Sequence, residues 1–169
     1  TYNISGTNNT AVGSMSLRAN LTGNRNTAVG KNALYSNLAS NNTAVGFCAL
    51  RSNTTGTNNS SLGYKALASN TVGNNNTAIG HAALFSNTSG GDNTAVGRRS
   101  LESNTIGNYN TALGKYSLFA NITGCRNTAL GYQSLLCNTA SNNTAVGFCA
   151  LRSNTTGQYN VAVGHLSLA

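Results

Sequence analysis

The two histidines, two acids and four cysteines (His81, His165, Asp92, Glu102, Cys48, Cys125, Cys137 and Cys149) are the residues whose types suit acid–base, nucleophilic or metal chemistry. General acid–base work needs two titratable groups within hydrogen-bonding reach, and a zinc-type centre needs three or four ligands around one point. Whether these residues can meet depends on how the chain is organised.

That organisation is a repeat. The stretch "NNTAVGFCALRSNTTG" occurs at 41–56 and again, unchanged, at 142–157, and weaker copies fill the interval. Residues 1–169 form a single array of ten units, centred on Gly13, Gly30, Gly46, Gly63, Gly80, Gly97, Gly114, Gly131, Gly147 and Gly164, with a step of 17 except for two steps of 16. Both short steps lose a residue at the same place, in "LASNN" (38–42) and "TASNN" (139–143), six units apart, as duplication of a six-unit block would leave them.

With each glycine numbered zero, four columns are constant. Asparagine stands at −4 (Asn9, Asn26, Asn42, Asn59, Asn76, Asn93, Asn110, Asn127, Asn143, Asn160) and leucine at +4 (Leu17, Leu34, Leu50, Leu67, Leu84, Leu101, Leu118, Leu135, Leu151, Leu168). The other two are the glycine itself and an asparagine at +7. Position −1 is always aliphatic, +3 is Ala or Ser, and +10 is Gly except at Ser40 and Ser141.

A proline-free repeat this short predicts an all-β fold, a β-solenoid (parallel β-helix or β-roll) in which each unit is one coil and equivalent residues stack about 4.8 Å apart. Helical repeats need units of roughly 33 to 47 residues. Two short strands per coil are expected, at "NTAVG" and around "xALxS", with the "NTTGxN" stretch as a turn where Gly and Asn tolerate positive φ. Leu at +4 and the aliphatic residue at −1 are expected to form the thin core, the small residues at −2 and +3 to bring the walls together, and the Asn columns to hydrogen-bond along the axis.

In that frame the chemistry disperses. His81 and His165 share column +1 but lie five coils apart, about 24 Å along the axis. Neither acid joins another acid, and no two cysteines are stacked neighbours, so the sequence predicts no enzyme, no metal, no cofactor and no disulfide within the chain. The GxxxxG spacings belong to the repeat, and none is followed by Lys-Ser or Lys-Thr as a phosphate loop requires.

The variable columns carry the remaining information. All ten basic residues, both histidines, both acids and every aromatic except Tyr2 fall at +1, +2, +5 or +12, the last being five residues before the next glycine in a full-length coil. Aromatics that share columns with Lys and Arg face outward, which makes Tyr35, Phe47, Tyr64, Phe85, Phe119, Tyr132 and Phe148 a candidate association surface. The net charge is +8 and charged residues are 7% of the chain. Four phases spread the cations around the coil, so no stripe for nucleic acid is expected, and attraction to acidic glycans is the more ordinary consequence. No apolar run reaches the roughly 18 residues of a membrane span. The chain opens and closes at the same phase, so a last coil would run almost in register into another first coil, and no capping element is evident. Asn-x-Thr triplets on tight turns would invite disruptive glycosylation in a eukaryotic secretory pathway, which favours a bacterial or viral source.

Tandem "NTAVGxxALxSNTTGxN" units resemble the repeat arrays of bacteriophage tail-fibre proteins and of bacterial surface proteins of the tail-fibre-domain type, over essentially the whole chain. The "NTAVG" segment is also similar, more distantly, to the "SxAIG" head repeats of trimeric autotransporter adhesins. These resemblances imply an extracellular, cell-surface or virion location, a fibre or filament role, and self-association into a homopolymer or homo-oligomer, with the adhesin resemblance implying a trimer of parallel β-rolls. The expected function is therefore a non-enzymatic structural rod assembling end to end or side by side. The alternatives are a carbohydrate-binding adhesin, with surface glycans as partners, and an ice-binding solenoid that uses the Thr row at −3 (Thr10, Thr27, Thr43, Thr77, Thr94, Thr111, Thr128, Thr144). Alternation places that Thr row on the same strand face as −1, hence inward, against the ice-binding alternative.

Overall fold

The computed structural model describes residues 3–169. It is a β-solenoid. Ten three-residue strands, β1 (Thr10–Val12), β2 (Thr27–Val29), β3 (Thr43–Val45), β4 (Ser60–Leu62), β5 (Thr77–Ile79), β6 (Thr94–Val96), β7 (Thr111–Leu113), β8 (Thr128–Leu130), β9 (Thr144–Val146) and β10 (Val161–Val163), form one parallel sheet in chain order. Each pairs in strict register with its neighbours, column on column, as Thr27 does on Thr43 and Ala28 on Ala44, across full and shortened coils alike.

Each coil contributes one strand rather than two. The "xALxS" segment folds instead into two successive turns, closed by bonds such as Ala33 N–H to the Gly30 carbonyl and Asn37 N–H to the Leu34 carbonyl. Residues +2 and +4 are left-handed, so that every +4 leucine, from Leu17 to Leu168, has φ between 48° and 52°. A left-handed bulky residue costs roughly 1–2 kcal/mol. The conformation persists because it buries the side chain while the backbone N–H donates to the next coil, as Leu34 does to Ala49 at 3.0 Å.

The sheet's inward face also differs from expectation. Strand residues alternate, but the residue that points inward is −2: Ala28, Ala44, Ala78, Ala95, Ala112, Ala129 and Ala145 have no exposure at all. The −1 aliphatics lie outside, with Leu62 49% and Ile79 40% exposed. Leu at +4 and the small +3 residues fill the lumen from the opposite wall, and only a methyl fits between them and the sheet. The core is thus Ala and Leu flanked by two asparagine columns, and −1 forms no part of it.

Those Asn columns are buried and bonded in different ways. At +7 the amide donates in most coils to the amide oxygen one coil back, as Asn87 does to Asn70 and Asn104 to Asn87, both at 2.8 Å, and also to a turn carbonyl of its own coil, that of the +10 glycine in full coils. At −4 the amide oxygen accepts the backbone N–H of the next Asn, as Asn59 accepts from Asn76 at 3.0 Å, and the amide nitrogen donates to a +10 carbonyl. A buried amide with every partner in place stabilises the stack, and one left unpaired costs about 1–3 kcal/mol.

Glycine is demanded for two distinct reasons. At column zero φ is 122–141°, and a Cβ on Gly80 would lie 2.7 Å from the carbonyl oxygen of Gly97. At +10 φ is not left-handed, contrary to expectation. There the constraint is close approach, because a Cβ on Gly73 would overlap the Gly90 carbonyl oxygen. Positive φ in this turn falls one or two residues later, at −5, on Asn8, Asn41, Asn58, Asn75 and Asn142 and also on Arg25, Asp92, Tyr109, Arg126 and Tyr159.

Candidate association surfaces

Two long surfaces follow from these columns. The first is the outer face of the sheet. Because Ala at −2 points in, Thr at −3 and the aliphatic at −1 both point out, and parallel register sets them in two straight rows ten coils long. The Thr row is therefore outward, against the expectation, broken only by Ser60 and Val161. The companion row runs Val12, Val29, Val45, Leu62, Ile79, Val96, Leu113, Leu130, Val146, Val163. Neither row contains a charged residue. Sequence reasoning missed this surface by choosing the more hydrophobic residue, valine, as the core; the signal was the small residue kept at −2.

The second surface carries the aromatics. Column +1 holds two stacked triads: Phe47, Tyr64 and His81, with ring centroids 5.4 and 5.0 Å apart, and Tyr132, Phe148 and His165, at 5.3 and 5.2 Å. Interplanar angles of 10–16° mean that the rings of a triad cover one another's faces and turn their edges to solvent. Column +5 contributes Tyr35, flanked by Arg18 and Arg51 at 5.4 and 5.8 Å from its ring, together with Phe85 and Phe119. All seven predicted aromatics are outside the core, and none is fully exposed.

The turns bring +1, +2 and +5 onto one face, which strand alternation would not. Lys65 at +2 sits 5.3 Å from the Tyr64 ring at +1, and Arg99 at +2 sits 5.0 Å from the Phe119 ring at +5. Arg99 also forms an ion pair with Glu102. Hydrogen bonding to Glu102, then to the Tyr116 hydroxyl, raises the Arg99 guanidinium further above its ordinary range. The same contact, seen from the other side, lowers the Tyr116 hydroxyl, with the charges of Arg98, Arg99 and Lys115 adding to it. Two hollows open along this face, one of about 260 Å³ beside Tyr64, His81, Phe85 and Arg98, and one of about 410 Å³ beside Tyr116, Phe119 and Leu136.

The histidines, cysteines and acids do not converge on one another. Among the described residues no group of three His, Cys, Asp or Glu side chains could hold a metal, and Cys48, Cys125, Cys137 and Cys149 are free thiols. No helix is long and apolar enough to cross a membrane among the described residues. Comparison with protein-family models, with curated proteins and with solved structures returns no significant match.

Proposed function

We propose that the chain is a structural fibre subunit, a stiff solenoid rod that associates side by side with copies of itself on a virion or cell surface, as its resemblance to tail-fibre and bacterial surface arrays suggests. The observation that carries this reading is the uncharged outer face of the sheet, with Thr and aliphatic rows unbroken by a single Lys or Arg while net charge is +8. Long contiguous apolar surface marks an association site. Charge chooses between the two faces: copies meeting through the aromatic face would oppose cations, and copies meeting through the sheet face would not.

Ice binding is the second reading, and the outward Thr row favours it. The −1 row weighs against it, because Val, Leu and Ile alternate irregularly there and roughen a surface that would have to match a crystal plane. Roughness suits interdigitation with protein. Negative-stain electron microscopy with light-scattering mass on one purified sample tests the proposal. Filaments or discrete oligomers are expected; monomers with freezing-point hysteresis would transfer the face to ice.

A further inference from the structure

The aromatic face has a property that the fibre reading leaves unused. Eight of the ten cations (Arg18, Lys31, Arg51, Lys65, Arg98, Arg99, Lys115 and Arg152) belong to columns +1, +2 and +5, against one acid, Glu102, which is already paired with Arg99. Counted by coil, a Lys or Arg stands on this face in seven of the ten coils, those centred on Gly13, Gly30, Gly46, Gly63, Gly97, Gly114 and Gly147. In-register stacking at about 4.8 Å per coil sets these cations in a band of three adjacent columns running along the axis.

We propose that this face binds a linear anionic polysaccharide lying along the solenoid axis, with its carboxylates opposite the cation-bearing coils. The coil step is comparable to the length of one hexose unit in an extended chain, so charge meets charge without either polymer bending. The hollows beside Phe85 and Phe119 receive the apolar faces of sugar rings between the cations. Ring geometry argues against single-stranded nucleic acid as the occupant. Bases bind by stacking on free aromatic faces, and in Phe47–Tyr64–His81 and Tyr132–Phe148–His165 those faces are covered by neighbouring rings.

The test is binding of the full chain to polygalacturonate, with neutral dextran of the same size and oligo-dT as comparisons, at low and moderate salt. Two double variants remove the same net charge from different faces: Arg98→Gln with Lys115→Gln on the aromatic face, and Arg25→Gln with Arg126→Gln on the −5 turn. All four residues are exposed, and circular dichroism checks that both variants fold. Polyanion affinity scales with the number of charges neutralised and falls with salt. The proposal expects salt-sensitive binding to polygalacturonate, none to dextran, and a loss of about tenfold confined to the Arg98/Lys115 variant. Equal losses in both variants would reduce the effect to net charge and overturn it. Tighter binding of oligo-dT, or no binding of polygalacturonate, would overturn it too.

Discussion

The backbone N–H of Asn24 donates to the hydroxyl of Ser40 at 2.9 Å, and Cys125 makes the same bond to Ser141. In full coils the acceptor for this rung is the side chain at +11, as when Thr57 N–H donates to Asn74 Oδ1 at 2.7 Å. In the two short coils the carbonyls of Ala39 and Ala140 take over the role of the +10 glycine, so the residue lost lies earlier in the turn and Ser40 and Ser141 stand where +11 stands in a full coil. Their hydroxyls supply the +11 acceptor. Ser40→Gly and Ser141→Gly are therefore expected to destabilise the fold by about 0.5–1.5 kcal/mol each. Denaturant midpoints would show it.

The converse change should stabilise. Gly91 occupies +11, where Asn24, Asn74 and Asn108 each accept from the preceding coil, and a Cβ there would approach only Asn74 O closely, at 3.2 Å. Gly91→Asn supplies the missing acceptor for Asn74 N–H and restricts the unfolded chain. A gain of about 0.5–1.5 kcal/mol is expected, read as a higher melting temperature.

The inward and outward columns should answer truncation differently. Leu84 is fully buried, whereas Ile79 is 40% exposed. Leu84→Ala should lose about 2–5 kcal/mol through the cavity it leaves, and Ile79→Ala under about 1 kcal/mol in the monomer. Equal losses would return −1 to the core.

The +7 amide column is interrupted once. Asn138 donates to the Ala140 carbonyl and not back to Asn121, whose Oδ1 is buried without a partner. At the equivalent short coil the rung survives, stretched to 3.3 Å between Asn37 and Asn20. Deleting a residue from the turn draws the amide away from the coil below. Native-state hydrogen exchange should find faster amides around Asn121 and Asn138 than around Asn70 and Asn87, since local opening follows the weakest contacts.

Tyr116 ionises below the usual phenol range because Arg99 hydrogen-bonds its hydroxyl. Arg99→Ala should raise its pKa, followed by NMR of the labelled ring. The deprotonated form is the one favoured in the folded chain, so whatever the contact contributes is present above the phenol's ordinary pKa and lost as pH falls. Exposure of the ring makes the effect on overall stability negligible.

The solenoid was legible in the sequence because stacking constrains every coil alike: Gly80, Leu84 and Asn87 recur for reasons each neighbour repeats. Three features were not legible. Choosing Val over Ala as the core followed hydrophobicity, whereas the narrow lumen selected by volume, so Val96 and Ala95 exchanged faces. A left-handed Leu67 has no sequence signature, and "KALAS" therefore read as a strand. Those same turns fold +1, +2 and +5 together, which is why the cations from Arg18 to Arg152 read as scattered and stand on one face.

The most direct test of the account is sedimentation velocity of the unmodified chain beside Val96→Lys with Leu113→Lys, two outward positions on adjacent strands β6 and β7. The account expects association in the unmodified chain, and a variant that keeps its circular dichroism spectrum but sediments as a monomer, because the lysines reach solvent and repel across the interface. An unfolded variant would place −1 inside the core. A folded variant that associates as the unmodified chain does would remove the sheet face from the assembly, and either result would contradict the account.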